Sequence, residues 1–462
     1  MYMLKKIQFW LALWGGKVFL WWYKRTGHVR NDRPGMVSMR LCSDFLKYVA
    51  KPKLTIAVSG TNGKTTVSHI VASVLTQQGK TVSYNDWGAN HHAGHARCIL
   101  DAVDFLNRPT KDAVVIEMDE LISPINVPKL KPNYLIVTNL ARDSMERNAN
   151  PEYIGQQLKK AAEDSPGTVV ILNADDPLSC FIGQNNRRLY FGVCDQHSHS
   201  RPALADDFTV CPNCGTKPDY HYRNYRHIGD FSCPCCGLKS PARDYFVAGT
   251  QDGMLTMQEP GGTFRYPIIS SAVHNLYNLA AVIALFRDMG LPHEVLAKDL
   301  ANATLPVSRE SRMTVGGIEL ITQVAKGQNP TAVSTVFENV AKDPSEKELI
   351  LILDDLFDDP HKTETVAWIY DSDYEYLNDP HIRKIVVGGE RYLDHRLRLL
   401  LAGGPEEKLV CMRDMFETAN FVDTQGIDRI YVLHDVNSIT RGRKIRDAVK
   451  ARIEQEGGVS AT

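Results

Sequence analysis

Residues 60–66 read GTNGKTT and combine the glycines and the side chains that a phosphate-binding turn needs. They lie between an apolar strand pattern and a helical pattern, so backbone N–H groups and the start of a helix would face a bound phosphate. Lys64 would neutralise the β- and γ-phosphates, and the Thr65 hydroxyl would bind Mg²⁺. The alternative is a chance Gly-Lys-Thr turn. We predict a nucleotide site at these residues: Gly60, Thr61, Asn62, Gly63, Lys64, Thr65 and Thr66.

A second group of reactive side chains has the spacing of a metal site. Two C-x₂-C pairs are separated by eighteen residues: Cys211, Cys214, Cys233 and Cys236. Four thiolates at this spacing can surround Zn²⁺ as a closed tetrahedron, with no open position for a substrate, which predicts a structural site. Such a site can fold a module that has little core of its own. Cys235 could take the place of Cys236, and His221 or His227 could replace a cysteine.

The elements that would position these residues alternate between strands and helices. LTIAVSG from Leu54 has a strand pattern and is followed by a helical stretch, and three more short apolar strands lie within DAVVIEMDE, NYLIVTNLARD and TVVILNADDP. A further helix is predicted from His274 to about Met289. After about Ser311 the alternation restarts with ELITQVA, ELILILDD, KIVVGG and RIYVLHD. This pattern predicts mostly parallel sheets with helices on both faces, in two α/β domains.

Composition and charge exclude several classes of function. The 462 residues carry 53 basic and 54 acidic side chains, so no concentrated basic face for nucleic acid is indicated. No apolar run reaches the length of about 20 residues that a membrane span needs. Ten cysteines, of which four pair by spacing, are typical of a reducing cytosol with one metal site rather than of a disulfide framework.

The N-terminal segment is rich in tryptophan and leaves two interpretations open. Four of the six Trp residues lie at positions 10, 14, 21 and 22, and apolar residues recur near helical spacing. Basic residues flank the segment: Lys5, Lys6, Lys24 and Arg25. The helix either covers an apolar face of the following domain or lies on a membrane surface.

The phosphate turn departs from the general Walker pattern, because Val58 occupies the position of the first glycine. This form resembles the Mur ligase superfamily. Glu117, at the end of a predicted strand, matches the carboxylate that the superfamily places on Mg²⁺, and a hard cation needs such an oxygen ligand. The segment TNLARD, with Thr138, Asn139 and Asp143, resembles the TN-x-x-x-D segment of the superfamily.

The resemblance also implies residues that hold the nucleotide. His274 to Asn278 match the HNxxN helix start, at which an asparagine binds adenine, so Asn275 and Asn278 join Asn139 as predicted ATP-binding residues. Arg309 in VSRES matches the arginine that approaches the nucleotide from the domain junction. Each match is weak alone, and a lone asparagine or arginine is more often a surface residue, but the matches follow the order of the superfamily.

Within the superfamily, the chain resembles the MurT subunits of lipid II isoglutaminyl synthases along nearly its whole length. EMDE at the end of the second predicted strand, WIYDSDYE from Trp368 and VVGGERYLDHRLRLL resemble MurT segments. The implied fold is an N-terminal arm (residues 1–50), a Mur ligase-type central ATPase domain (51–310) with an inserted zinc ribbon (205–243), and a C-terminal Rossmann-like α/β domain (311–462).

The MurT resemblance implies an activity, cofactors and partners. The chain would use ATP and Mg²⁺ to activate the α-carboxylate of D-glutamate in the lipid II stem peptide as an acyl phosphate, with Lys64 and Glu117 as catalytic residues. Ammonia from a GatD-like class I glutaminase would then form D-isoglutamine. The implied location is the cytoplasm, with contact at the inner face of the membrane left open.

One departure puts the partner's chemistry in question. MurT proteins place an Asp three residues before the Trp of WIWD, where it completes the catalytic triad of the glutaminase, and this chain has Thr365 there. Asp358, Asp359 or Glu364 could supply the carboxylate, because a group that orients a histidine needs only reach and ionisation. The alternative is that these acids form a solvated loop.

Three functions remain open on the sequence alone. The first is the MurT-type amidation with a glutaminase. The second is a MurT-like carboxylate–amine ligase that acts without a glutaminase on another acceptor or amine. The third is a nucleotide-binding scaffold without activity, and the intact Gly63, Lys64, Thr65 and Glu117 argue against it.

Overall fold

The computed structural model describes residues 2–27, 32–85, 89–143, 150–194, 206–304, 310–353 and 366–459. It divides into two compact units. The first unit comprises Met1–Ala141, Asn150–Arg201 and Asp206–Pro306, and the second is built mainly from Val307–Thr462, with Arg142 and Asp143 joining it.

The first unit contains helices and strands in alternation after a helical N-terminus. Its helices are α1 (Tyr2–Arg25), α2 (Arg33–Leu41), α3 (Phe45–Tyr48), α4 (Lys64–Gln77), α5 (His92–Asp101), α6 (Ser123–Leu130), α7 (Pro151–Glu163), α8 (Val273–Asp288) and α9 (His293–Ala301). Its strands are β1 (Leu54–Ser59), β2 (Val82–Tyr84), β3 (Ala113–Glu117), β4 (Tyr134–Val137), β5 (Val169–Asn173), β6 (Arg188–Val193), β7 (Asp219–Tyr225), β8 (Ile228–Ser232), β9 (Tyr245–Gln251), β10 (Met254–Glu259) and β11 (Gly262–Pro267).

The described strands of this unit form a nine-stranded sheet in the order β11-β10-β9-β6-β5-β4-β1-β3-β2. Neighbours from β2 to β9 run parallel. Strand β1 lies between β3 and β4, so the turn that follows it opens at the carboxyl end of the central parallel strands. In open parallel sheets this edge is where ligands bind.

The parallel part of the sheet follows from continuous apolar runs. All five residues of β3 are buried, as expected for a strand covered by helices on both faces. Helix α8 is apolar on all sides and is buried from Leu276 to Phe286, which marks it as a core helix rather than a surface one. Strands β9 to β11 add an antiparallel edge that the sequence patterns did not predict.

Helix α1 packs one face against the first unit. Phe9 stacks on Phe45 of α3, with ring centroids 5.8 Å apart, and Leu13 is fully buried. Close packing also occurs between α2 and α5, where a Cβ on Gly35 would lie 1.9 Å from the carbonyl oxygen of Ala93. The N-terminal segment therefore covers an apolar face of this unit, which agrees with one of the two predicted interpretations.

The second unit has its own sheet and its own core. Its strands are β12 (Glu310–Val315), β13 (Ile318–Val324), β14 (Lys347–Ile352), β15 (Ile382–Gly388), β16 (Leu409–Met412) and β17 (Arg429–His434). Its helices are α10 (Pro330–Lys342), α11 (Ala367–Asp371), α12 (Tyr392–Leu401) and α13 (Ile439–Val459), and its 3₁₀ helices are Tyr374–Leu377, Glu406–Lys408, Met415–Phe421 and Val436–Ser438. The sheet order is β12-β13-β17-β14-β15-β16, parallel except for β12.

Local sequence explains where the second unit's first helix begins. Asn329 precedes α10, and its side-chain oxygen accepts a hydrogen bond from the Ala332 N–H at 2.8 Å, while Pro330 supplies the fixed φ of a first helical residue. Trp368 and Tyr374 are among the largest fully or almost fully buried side chains. The alternation of strands and helices predicted after Ser311 is therefore present, and the mixed α/β fold is confirmed.

Candidate nucleotide site and four-cysteine cluster

The turn between β1 and α4 is held close to the loop that follows β4. Gly60 has φ +118°, and a Cβ at this position would lie 2.3 Å from Thr138 Oγ1. Glycine is therefore required here both for the backbone conformation and for the close approach. Gly63 has φ +88°, and a Cβ there would lie 2.2 Å from Asn278 Oδ1. The turn thus touches both the β4 loop and the start of α8.

Hydrogen bonds from the β4 loop fix the shape of the turn. The Thr61 N–H donates to the Asn139 carbonyl oxygen at 2.7 Å. The Asn139 side chain accepts from the Asn62 N–H at 3.3 Å and donates to the Asn62 carbonyl oxygen at 3.0 Å. Thr138 Oγ1 also donates to that carbonyl at 2.6 Å. Asn139, predicted from the resemblance as an ATP-binding residue, therefore shapes the turn through both ends of its amide.

The start of α8 brings the two other predicted asparagines to the same place. Asn278 is buried beside Gly63, and its Nδ2 donates to Asn275 Oδ1 at 3.3 Å. Asn275 donates in turn to Ser270 Oγ at 3.0 Å. The HNxxN segment and the phosphate turn, which are more than 200 residues apart in the sequence, are neighbours in the fold.

Lys64 lies in a buried network that includes an unpredicted carboxylate. Its ammonium donates to the carbonyl oxygens of Gly60 and, at 3.3 Å, Thr61, and it lies 2.7 Å from Glu120 Oε1. Burial raises the pKa of Glu120, although the charge of Lys64 opposes that shift. Glu120 was missed because its role depends on a contact across 56 residues. Its signal in the sequence was an acid three residues after Glu117, within EMDE.

Glu117 ends strand β3 next to the strand that leads into the turn. It pairs in register with Val58 of β1, two residues before Gly60. The side chain is buried, and its Oε2 has no hydrogen-bond partner among the described residues. An ionised carboxylate oxygen in this position would be costly without a cation, so the residue fits a Mg²⁺ ligand. Thr65, half-buried at the start of α4, offers a hydroxyl at the same end of the sheet.

The backbone of Glu117 is held by a chain of buried polar groups. Its carbonyl oxygen accepts from Asn85 Nδ2 at 2.9 Å and from His95 Nε2 at 3.1 Å, and its N–H donates to Asn85 Oδ1. Asn126 Nδ2 donates to His95 Nδ1 at 2.7 Å. Burial lowers the pKa of His95 to about 3, so this imidazole is neutral and donates from Nε2 only. These contacts position the strand end that carries the predicted magnesium ligand.

The four predicted metal ligands form one cluster in the first unit. The sulfur atoms of Cys211, Cys214, Cys233 and Cys236 all lie within 4.8 Å of one another. A tetrahedral zinc site with Zn–S bonds of about 2.3 Å has sulfur atoms about 3.8 Å apart, so the cluster fits the ion. Hydrogen bonds from Thr216 lower the pKa of Cys214 to about 6. The Leu238 N–H opposes the shift at Cys236, but desolvation and the three other cysteines raise the pKa of Cys236 to about 12. Cys235 is exposed and is not part of the cluster.

The β7–β8 hairpin, which lies between the two cysteine pairs, contacts the loop after β4 that shapes the phosphate turn. His227, in the β7–β8 turn, is buried and donates from Nε2 to the Leu140 carbonyl oxygen at 2.8 Å, so it is not a metal ligand. The Leu140 N–H donates to Asp176 Oδ2 at 2.7 Å. Leu140 directly follows Asn139. The four-cysteine module is therefore connected to the loop that shapes the phosphate turn.

A second connection runs through the buried carboxylate of Asp175. It accepts hydrogen bonds from Tyr222 of β7 at 3.1 Å and from Tyr277 of α8 at 2.7 Å, and Arg243 forms an ion pair with it. Burial raises the pKa of Asp175, against the charge of Arg243. Tyr277 lies between the two predicted adenine-binding asparagines. The hairpin thus also supports the start of α8.

The other predicted residues lie outside the described part of the chain or in the second unit. Arg309, Asp358, Asp359 and Glu364, together with Thr365, lie outside the described residues. Asp143 belongs to the second unit, where Lys326 Nζ donates to its two carboxylate oxygens at 2.9 and 3.1 Å. In the first unit, the turn at residues 60–66, Glu117, Asn139 and the two asparagines of α8 are brought together.

Comparison with known proteins matches both units. A family model described as the Mur ligase middle domain matches residues 58–209, and one described as the MurT ligase C-terminal domain matches residues 327–438. The first match starts in the strand that leads into the phosphate turn. The second covers most of the second unit, including WIYDSDYE.

Similar proteins were found over most of the chain. The MurT subunit of lipid II isoglutaminyl synthase (glutamine-hydrolyzing) of Staphylococcus aureus strain COL is 28% identical over 407 residues, covering 87% of this chain and 90% of that protein. The corresponding subunit of Streptococcus pneumoniae strain R6 is 26% identical over 416 residues, covering 89% and 91%. Among solved structures, a pseudomurein peptide ligase type C from Methanothermus fervidus has a TM-score of 0.65 at 16% identity, covering 88% of this chain and 81% of that one.

Similarity to solved structures shows the fold, and the sequence relatives show which proteins of that fold the chain resembles. A Mur ligase fold is present, and similarity to MurT subunits runs along about nine-tenths of the chain. The chain is therefore an ATP-dependent ligase with the Mur ligase fold, and it is similar to MurT subunits in both of its units.

Proposed function

We propose that this chain is the ATP-using subunit of an amidotransferase that converts a carboxylate of a peptidoglycan precursor to an amide. The observation that carries the proposal is the buried carboxylate of Glu117, with Oε2 unpartnered among the described residues, beside a GTNGKTT turn. This arrangement supports Mg²⁺–ATP binding with the terminal phosphate at the carboxyl end of the parallel strands.

The reaction would proceed in two steps. A carboxylate oxygen of the acceptor attacks the γ-phosphorus of ATP, which forms an acyl phosphate and releases ADP. Ammonia then attacks the carbonyl carbon, the carbon–oxygen bond to phosphate breaks, and inorganic phosphate and a proton leave. Activation is needed because a carboxylate anion repels nucleophiles and lacks a good leaving group.

The chain's own residues would have separate roles in the first step. Lys64 would neutralise charge on the β- and γ-phosphates after exchanging its contact with Glu120 for the nucleotide. Thr65 and Glu117 would bind Mg²⁺, which supplies neutralisation of the phosphate oxygens. Asn275 and Asn278 would hold the adenine. Arg309 would approach the nucleotide, as the family resemblance implies.

The proposed acceptor is the D-glutamate α-carboxylate of the lipid II stem peptide. The MurT relatives are named as subunits of a glutamine-hydrolyzing lipid II isoglutaminyl synthase. This name supports both the proposed acceptor and a separate glutamine-hydrolysing partner. We propose a GatD-like class I glutaminase as that partner. Asp358, Asp359 or Glu364 would donate the carboxylate that orients its catalytic histidine. The complex would work in the cytoplasm.

Reconstitution tests this function directly. The purified chain, a GatD-like glutaminase, glutamine, Mg²⁺–ATP and lipid II should give amidated lipid II, detected by mass spectrometry, together with one phosphate per amide. Lys64→Ala should abolish the product, and the surface change Glu163→Gln should leave it unchanged. Lipid II that stays fully acidic with intact partner activity would overturn the proposal.

A second function is favoured by Thr365, which stands where MurT proteins have the Asp that serves the glutaminase. In this alternative the chain is a carboxylate–amine ligase that works without a glutaminase. Phosphate release stimulated by a free amino acid, in the absence of any partner, would support the alternative. Strict dependence of amidation on the glutaminase would exclude it.

A further inference from the structure

Helix α1 has an exposed apolar face in addition to its buried one. Six large apolar side chains on this face each have about half of their surface exposed: Ile7, Leu11, Trp14, Val18, Trp21 and Trp22. Their spacing of three, four and seven residues places them along one side of a helix with about 3.6 residues per turn. We call these six residues the outer face of α1.

The opposite side of the same helix is fixed to the first unit. Phe9, Leu13, Leu20 and Tyr23 are buried there, and Gly16 packs so closely that a Cβ would meet Ser38 Oγ at 2.1 Å. The helix therefore cannot turn its outer face inward without losing this packing. The outer face is a permanent feature of the surface of the first unit.

A neighbouring loop enlarges the apolar surface. Phe105 and Leu106 are both exposed, and the Trp14 indole Nε1 donates to the Phe105 carbonyl oxygen at 3.0 Å. The Lys17 ammonium lies 5.7 Å from the centre of the Phe105 ring. Continuous apolar surfaces of this kind mark sites of interaction with a protein or a membrane.

The charge of the helix distinguishes between these two kinds of partner. Helix α1 contains no acidic residue and five basic ones: Lys5, Lys6, Lys17, Lys24 and Arg25. Lys6 and Arg25 are exposed, and no acidic partner is found for either among the described residues. Arg25 lies over the Trp21 ring, 4.8 Å from its centre. Lys5 and Lys24 pair with Asp44 and Asp101, so among the described residues Lys6 and Arg25 carry the unpaired positive charge of the helix. Tryptophan next to unpaired cations is typical of helices that lie in the interface of an anionic bilayer.

We propose that the outer face of α1, with Phe105 and Leu106, lies flat on the surface of an anionic lipid bilayer. The tryptophan rings would enter the headgroup region, and Lys6 and Arg25 would contact lipid phosphates. No described helix is both long enough and apolar enough to cross a bilayer, so the proposed contact is with one leaflet. The contact needs neither ATP nor a glutaminase and goes beyond the proposed reaction.

Vesicle binding by the full-length chain tests the proposal. Co-sedimentation is measured with phosphatidylcholine vesicles and with phosphatidylcholine vesicles that contain phosphatidylglycerol. Wild-type protein should sediment with the anionic vesicles, and binding should weaken with salt because surface charges are screened. The triple variant Trp14→Ser, Trp21→Ser, Trp22→Ser should lower the partition coefficient at least ~10-fold.

A matched control variant uses another exposed apolar helix face. Leu393, Leu397 and Leu401 of α12 are exposed at four-residue spacing in the second unit. The triple variant with serine at these positions should bind vesicles as the wild type does. A second variant, Lys6→Gln with Arg25→Gln, should lose the preference for anionic over neutral vesicles while it keeps the same thermal midpoint, since both side chains are exposed.

Three results would overturn the proposal. The first is that the wild-type protein does not bind anionic vesicles. The second is that the tryptophan variant binds as well as the wild type. The third is that the α12 leucine variant loses as much binding as the tryptophan variant. Sedimentation velocity without lipid tests whether the outer face of α1 instead binds a second copy of the chain. A dimer that the tryptophan variants convert to monomer, without vesicle binding by the wild type, would assign the face to a second copy of the chain. ATPase activity is not part of the readout, so failure here leaves the proposed reaction intact.

Discussion

The ion pair between Lys64 and Glu120 gives a prediction for a single residue. Both side chains are almost fully buried, and breaking a buried pair leaves one charge without compensation. We expect Glu120→Gln to lower the free energy of unfolding of the nucleotide-free protein by roughly 3 kcal/mol. A bound Mg²⁺–ATP analogue should reduce this loss, because the phosphates would replace the missing carboxylate. Chemical unfolding with and without the analogue measures both effects.

The exposed pair Lys159–Glu163 provides the control for that measurement. Its atoms are 3.9 Å apart on the surface of α7, and such pairs contribute little. Glu163→Gln should change the unfolding free energy by less than about 0.5 kcal/mol. An equal loss in both variants, or a loss in Glu120→Gln that the analogue does not reduce, would contradict the role given to Glu120.

Glu348 of β14 gives a prediction about pH. Its side chain is fully buried, it accepts a hydrogen bond from the Asp423 N–H at 2.9 Å, and burial raises the pKa of Glu348 to about 7. An unfolded glutamate has a pKa of about 4.3. Between these values the folded state binds more protons than the unfolded state, so the stability that Glu348 contributes is complete below about pH 4.3 and is lost as the pH rises to about 7.

Replacing Glu348 by glutamine should remove this loss. We expect Glu348→Gln to match the wild type near ~pH 4 and to exceed its unfolding free energy at ~pH 8 by about 4 kcal/mol, from a pKa difference of nearly three units. Urea unfolding across this pH range measures the difference. Glu346→Gln, which alters an exposed pair with Arg383, is the control and should show no such trend. A flat difference for Glu348→Gln would mean that folding does not change the pKa of this carboxyl.

At the scale of elements, the four-cysteine module should affect the nucleotide site through its hairpin. Without metal the β7–β8 hairpin loses its anchor, and with it the contacts of His227 with Leu140 and of Tyr222 with Asp175. We expect Cys214→Ser to lose bound zinc, to lower the thermal midpoint by on the order of 10 °C and to raise the KM for ATP more than it lowers kcat. Metal analysis, thermal unfolding and ATPase kinetics test the three parts.

Cys235 offers a closely matched control. It lies one residue from a member of the cluster but is exposed and outside it. Cys235→Ser should keep one zinc ion per chain, the thermal midpoint and the KM. If Cys214→Ser lost its metal with no change in KM, the hairpin would have no part in positioning Asn139 or the start of α8.

Short sequence patterns predicted the helices, the strands and the phosphate turn. They could not predict contacts between residues that are far apart in the sequence. Apolar runs predicted the parallel strands, and glycines before Lys64 predicted the turn, since these depend on neighbouring residues. Three features depend on the assembled sheet instead. They are the ion pair of Lys64 with Glu120, the hydrogen bond from His227 to the Leu140 carbonyl oxygen and the antiparallel edge of β9 to β11. The asparagines of α8 were predicted only because the family resemblance supplied their role.

At the scale of the whole molecule, each of the two units has its own hydrophobic core, so each should have its own free energy of unfolding. The first unit buries apolar residues on both sides of its nine-stranded sheet, and the second does so around its own six-stranded sheet. The predicted nucleotide residues within the described part of the chain lie in the first unit. Glu348 lies in the second. The two units should therefore respond to different changes.

Calorimetry of the full-length chain tests this separation. We expect two unfolding transitions, because each unit has a core of its own. A nonhydrolysable ATP analogue with Mg²⁺ at about a hundredfold excess over its Kd adds about 2.7 kcal/mol to the state that binds it, so it should raise only the first unit's transition by a few degrees. Glu348→Gln at ~pH 8 should raise only the other one. A single transition that both changes shift alike would mean that the two units unfold together, and the site's stability could then not be separated from that of the second sheet.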